Sequence, residues 1–205
     1  MHCFILLDRS GSMGSRWAET MQALNAFAGR LGSDVPDARV SLAVFDDVSG
    51  ALDYAYLRKG RPVGGWKPVG EAEAAPRGST PLFDAIGRIT DHINAAAEDK
   101  MMLVVITDGH ENASRTLDKD RARAALDEVK ERGWDITFLG ADFDNFDQAQ
   151  GLGIAQGSAM AMASGFYGEA SSALARRATR YATGAMPANF AAFTDEERER
   201  ARGES

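Results

Sequence analysis

Three short segments carry oxygen donors in spacings that suit a hard cation. Asp8-Arg9-Ser10-Gly11-Ser12 puts a carboxylate and two hydroxyls at alternate positions, directly after the apolar run 3–7. Thr80 stands where a Gly/Pro-rich stretch gives way to a helical pattern. Thr107-Asp108-Gly109 follows a second apolar run, 101–106. Two carboxylates and three hydroxyls form an all-oxygen set, the preference of Mg²⁺, Mn²⁺ or Ca²⁺ rather than of zinc or copper. The hydroxyls of Ser10, Ser12 and Thr80 can contact the ion directly, with Asp8 and Asp108 accepting from those hydroxyls and from ion-bound water. A neutral inner set of ligands leaves the ion strongly Lewis acidic, with a position open to a partner's Asp or Glu carboxylate. The chemistry implied is recognition through a cation, with no bond broken.

Such a site needs elements that bring positions about 100 residues apart in sequence to one place. Residues 2–8 and 101–106 are short apolar runs ending in polar loops, the pattern of buried strands. Residues 39–46, 51–58, 134–140 and 157–163 suit further strands, with 39–46 and 51–58 joined through the turn at 47–50. Trp17, Met21, Leu24, Phe27 and Leu31 lie on one stripe of a helix. A second helix is expected from Thr80 as N-cap and Pro81 as first helical residue, through Ile86 to about Ala97. Others are expected over 117–131 with Thr116 as cap, over 145–152 and over 169–182. Residues 59–79 read as one long loop. Thr194 and Glu197 have capping-box spacing, so 195–202 suits a short charged helix.

Strands alternating with helices imply right-handed βαβ units. The fold class expected is α/β: a doubly wound, mostly parallel sheet with helices on both faces. Ligands of such sheets bind outside the carboxyl ends of the strands, at the switch point of strand order. Asp8 and Asp108 both stand at such ends.

The chain has 205 residues, 44% of them apolar and 26% charged, with net charge −7. That charge argues against a sequence-independent nucleic-acid binder, and no run reaches the ~18 apolar residues of a membrane helix. Cys3 is the single cysteine, which suits a reducing compartment. A cytoplasmic location is expected. One domain over 1–183 and a weakly specified tail over 184–205 are expected.

The ordered triplet Asp-x-Ser-x-Ser, a distant Thr, and Thr-Asp-Gly resembles the metal-ion-dependent adhesion site of von Willebrand factor type A domains. The likeness covers about residues 2–182. The wording Leu7 to Met13, Thr107 to Ser114 and Phe138 to Asp142 looks like the stand-alone bacterial or phage members. The resemblance implies a Rossmann-like sheet with one antiparallel edge strand and a cation on its upper rim, Mg²⁺ before Mn²⁺ or Ca²⁺. It implies that Ser10, Ser12 and Thr80 contact the ion, with Asp8 and Asp108 direct or through water. It names no partner beyond a protein presenting Asp or Glu, and no oligomeric state.

Other residues read more plainly. His110 and Glu111 suit a solvated loop. His2 and His92 suit ordinary strand and helix positions, and Met160 and Met162 the core. Trp66 is expected to pin its own loop, ahead of overhanging the site. Asp142, Asp144, Asn145 and Asp147 lack EF-hand spacing and suit helix capping. The competing function is a metal-dependent hydrolase or phosphatase with Asp8 as nucleophile. The haloacid-dehalogenase pattern asks for Asp where Ser10 stands, no P-loop occurs, and no nucleophile elbow surrounds Ser10 or Ser12. A non-enzymatic binding module is the reading preferred.

Overall fold

The computed structural model describes residues 1–96, 98–140, 144–185 and 192–204, with the side chains of 144–146 outside that description. Strands β1 (His2–Asp8), β2 (Arg39–Asp47), β3 (Leu52–Pro62), β4 (Met101–Thr107), β5 (Asp135–Gly140) and β6 (Ala159–Ala161) form a sheet of order β3-β2-β1-β4-β5-β6. Only β3 runs antiparallel, and it lies at one edge. The helices are α1 (Trp17–Asp34), α2 (Leu82–Asn94), α3 (Lys119–Glu131), α4 (Asp144–Gly151), α5 (Tyr167–Ala182) and α6 (Asp195–Arg202).

The sheet separates two apolar clusters. Cys3, Ile5 and Leu7 of β1 pack with Leu24, Phe27 and Leu31 of α1 and Leu174 of α5. Phe4 and Leu6 face the other way, onto Leu82, Ile86 and Ile89 of α2 and Leu126 of α3. A strand covered on both faces has no polar side, which is why β1 and β4 read as unbroken apolar runs. Order reverses between β1 and β4, so the switch point lies between Asp8 and Thr107. No helix of the described residues is long and apolar enough to cross a membrane.

Several expectations needed correction. Helix α2 starts at Leu82 with Pro81 as N-cap, and no side chain of its own caps it, so Thr80 is not the cap. The cap of α3 is Asp118, which accepts from the Arg121 amide, rather than Thr116. Strand β3 continues to Pro62, shortening the expected loop, because Gly60 at φ +56° and two register shifts let the chain stay paired to β2. Residues 156–158 form a 3₁₀ turn, leaving β6 only three residues. Met160 and Met162 are buried. Trp66 donates from Nε1 to Asn25 Oδ1 at 3.0 Å and packs on the α1 core, so it pins its loop. The capping roles expected of Asp142, Asp144 and Asn145 fall outside the described residues and side chains.

One ion pair fixes α5 to the lower end of the sheet. Arg177 is fully buried and donates to both oxygens of Asp135, at 2.6 and 3.0 Å, and to Ser158 Oγ at 2.9 Å. Removing one member of a buried pair strands the other charge, at a cost of about 3–5 kcal/mol. Arg177→Met should therefore lose that much in urea unfolding, and adding Asp135→Leu should recover part of it. Strictly additive losses would mean that the two charges are not coupled.

Candidate metal centre

Asp8 closes β1 with none of its surface exposed. Its Oδ1 accepts from the Ser10 amide at 2.7 Å and its Oδ2 from Thr107 Oγ1 at 2.6 Å. Burial pushes its pKa up to about 6 from an ordinary 3.8, against those two hydrogen bonds, with nearby Asp108 adding to the rise. A raised carboxylate pKa favours the fold fully below pH 3.8, and that contribution is lost as pH rises through about 6. At neutral pH the ionised Asp8 thus strains the protein, and a bound cation would relieve it.

The next turn presents the serines. Ser10 is buried, Ser12 is exposed, and their hydroxyl oxygens are 3.1 Å apart. Ser12 Oγ donates to Asp108 Oδ1 at 2.7 Å. Arg16 Nη1 donates to Asp108 Oδ2 at 3.0 Å. That side chain of Asp108 is 1% exposed.

Thr80 arrives on a loop tied down from several sides. Gly11 and Arg77 amides bond to the carbonyls of Gly78 and Arg9, and Ser79 and Asp47 exchange backbone bonds at 3.1 Å. Arg9 and Arg77 both bind the buried carboxylate of Asp46 and reach Asp53. Thr80 also exchanges two bonds with Asn112: its amide donates to Asn112 Oδ1 at 2.9 Å, and the Asn112 amide donates to its carbonyl at 3.1 Å.

All five expected residues meet on this rim. A single point marks the convergence: a Cβ added to Gly109 would lie 2.9 Å from Thr80 Oγ1, 3.3 Å from Ser12 Oγ and 3.6 Å from Asp8 Oδ2. Oxygens from three separate segments crowd a spot that only glycine leaves open. The donor set fits a hard cation: hydroxyls in front, carboxylates already hydrogen-bonded behind. Among the described residues no three His, Cys, Asp or Glu side chains gather into a metal cage.

Some supporting residues were not visible beforehand. Glu111 is no solvated loop residue. Its Oε2 accepts from the Phe83 amide (2.9 Å) and Ser114 Oγ (2.7 Å), and its Oε1 from the Ala113 (2.8 Å) and Ser114 (2.6 Å) amides. Asp84 in turn accepts from the amides of Arg115, Thr116 and Leu117. The start of α2 thus takes its cap from the loop after β4, which explains why Thr80 is not needed for it. Gln148 of α4 bonds the Glu111 amide and the Gly109 carbonyl. His110 is exposed, as expected. The sequence signal for this brace is Glu111-Asn112 following Asp108-Gly109 in a loop that must face a helix start.

The fold and its oxygen-lined rim define an α/β domain of the doubly wound type with its site at the switch point. The family model of the von Willebrand factor type A domain matches residues 3–173, and the chain belongs to that family. Domains of this family generally mediate protein–protein interaction and often bind a divalent cation. No curated protein matches the chain. Solved structures do. The manganese-loaded TRAP protein of Plasmodium vivax is 16% identical, with 84% of this chain and 70% of that one covered, at TM-score 0.59. The PilB minor pilin of Streptococcus sanguinis is 11% identical, covering 87% of this chain and 61% of that one, at 0.63. The vWF domain of the pilus tip protein Mfa5 from Porphyromonas gingivalis is 10% identical, covering 85% and 93%, at 0.63. At such identities the likeness is one of fold.

Removing the brace should be costly. Glu111→Ala strands several donors at once, and bonds to a charged acceptor contribute about 1.5–3 kcal/mol. We expect a loss of about 2–3 kcal/mol in denaturant unfolding; a change below about 0.5 kcal/mol, the surface-substitution range, would show that the brace is dispensable.

Proposed function

We propose that this domain is a non-enzymatic, metal-dependent protein-binding module. A divalent cation, Mg²⁺ in preference to Mn²⁺ or Ca²⁺, is held by Ser10, Ser12 and Thr80, with Asp8 and Asp108 behind them. When bound, the cation supplies an electrophilic contact for an Asp or Glu carboxylate of a partner protein. The observation that carries this reading is the crowding of Thr80, Ser12 and Asp8 oxygens around Gly109. The chain's own part is positional. Thr107 and the Ser10 amide hold Asp8 so that its charge backs the rim, and Asn112 keeps the Thr80 backbone in register with the Asp108 loop. Arg16 and Ser12 share Asp108, so its charge is balanced before any ion arrives.

The hydrolytic alternative asks Asp8 to attack a substrate. Its two carboxylate oxygens are already engaged and the group has no exposed surface, which opposes a nucleophile's role.

Calorimetry should detect Mg²⁺ binding to the wild type, none to Asp8→Ala, and at least about tenfold weaker binding to Thr80→Ala, the loss of one charge-assisted contact. Unchanged affinity in Asp8→Ala would remove the assignment. The pH profile follows from the raised pKa of Asp8. The ionised form is the one that supports the cation, so affinity should be level above about pH 7. It should fall about tenfold per unit once pH drops below the value of about 6. An affinity independent of pH down to 5 would show that Asp8 does not titrate with binding.

A further inference from the structure

The far end of β3 concentrates charge of the opposite sign from the rest of the chain. Because β3 is antiparallel, its last residues lie beside Arg39 and Val40 at the start of β2, at the end of the sheet opposite the cation rim. Residues 54–70 include Arg58, Lys59, Arg61 and Lys67 and no Asp or Glu, in a chain of net charge −7. All four line one cleft of about 480 Å³, with Tyr56, Leu57 and Gly65.

The cleft is organised by its aromatic wall. Lys59 Nζ stands 5.3 Å from the centre of the Tyr56 ring, and the Arg58 guanidinium 5.9 Å from that of Trp66. Both distances are in the cation–π range. Tyr56 is in turn fixed by His92, whose Nδ1 is 2.9 Å from its hydroxyl. Arg58 also receives a carboxylate from the chain itself: its two terminal nitrogens reach the two oxygens of Glu73 at 2.6 and 3.0 Å. That forked pair shows that a carboxylate fits here in bidentate geometry.

Lys59, Arg61 and Lys67 remain exposed, and none has a carboxylate partner among the described residues. Neighbouring acids are engaged elsewhere: Asp53 with Arg9 and Arg77, Glu98 with His2 and Arg39. Scattered lysines on an edge strand commonly guard against strand pairing. Three uncompensated cations in one cleft, beside a docked carboxylate and a fixed ring, do more than that requires.

We propose that this cleft binds an acidic segment of a partner protein, through carboxylates placed on Lys59, Arg61 and Lys67. The docked Glu73 favours carboxylates as the ligand chemistry. With a net charge of −7 the chain repels polyanions in general, and most of all a duplex with its charge every ~1.7 Å, which leaves a short, sparsely charged acidic segment as the better fit. The site is separate from the cation rim and does not depend on it.

The test is fluorescence anisotropy on the full chain in chelator, which silences the rim. The probes are labelled (Glu-Gly)₄, its (Gln-Gly)₄ counterpart and a dodecathymidylate, at roughly 0.1 M salt, where exposed charges beyond about 10 Å are screened. The glutamate peptide should bind at least about tenfold tighter than the glutamine peptide, a difference of about 1.4 kcal/mol. The triple variant Lys59→Glu/Arg61→Glu/Lys67→Glu should lose that preference, while Thr80→Ala keeps it. The single variant Lys67→Gln, on the loop, serves if the triple variant unfolds; it should weaken binding severalfold. Equal binding of the two peptides, or undiminished binding by the folded variants, would overturn the proposal. Tighter binding of the oligonucleotide would replace the acidic segment with nucleic acid.

Discussion

A carboxylate with no exposed surface has to be answered by its neighbours, and the upper half of this domain is arranged around answering Asp8. One oxygen is met by the amide of Ser10, which sets the turn that carries both serines. The other is met by Thr107 from the adjacent strand, which sets the approach of the Asp108 loop. The second bond requires β1 and β4 to lie side by side in parallel, as they do from His2–Met101 to Leu7–Ile106. Even so, burial outweighs the two bonds and leaves the group harder to ionise than a free aspartate. The sheet therefore holds, at its switch point, a carboxylate that is costly to ionise.

Much of this was legible in the chain. The apolar runs of β1 and β4 are continuous because both faces are covered, and that pattern announces a parallel sheet. The stripe of Trp17, Met21, Leu24, Phe27 and Leu31 announces α1, and all five are buried. That Asp8, Ser10, Ser12, Thr80 and Asp108 come to one rim is legible from their positions, since each stands at a strand end, in the turn after it or before a helix. The start of α2 is not legible locally: Thr80 has the composition of a cap, yet the capping groups come from elsewhere in the chain. Glu111 supplies that cap from 28 residues away, and no local pattern reports it. The end of β3 is hidden for a similar reason: Gly60 and Pro62 have loop composition, and only the bulged pairing with β2 keeps them in the strand. Arg16 gave no signal, because an arginine at the end of a serine-rich turn is ordinary until Asp108 lies against it.

β3 joins two electrostatic regions. Near its beginning, Asp53 shares Arg9 and Arg77 with Asp46, beside the oxygen-lined rim. At its other end the charge is positive, and Glu73 is the one carboxylate bonded to Arg58 there among the described residues. An edge strand with one neighbour can carry this gradient because its side chains are not all claimed by the core: most of its residues are only partly covered.

The reciprocal bonds between Thr80 and Asn112 also set an order in time. Asp8, Ser10 and Ser12 leave the ribosome early, and Thr80 follows, but Asn112 and Asp108 come only after β4. Until that strand docks against β1, Thr80 lacks its two bonds to Asn112 and Asp8 has only one of its two partners. Synthesis proceeds at about 5–20 residues per second, so the 32 residues separating Asn112 from Thr80 take roughly two to six seconds to add. The rim thus depends on both halves of the sheet: β1 and its turn bring Asp8 and the serines, and β4 and its loop bring Thr107 and Asp108.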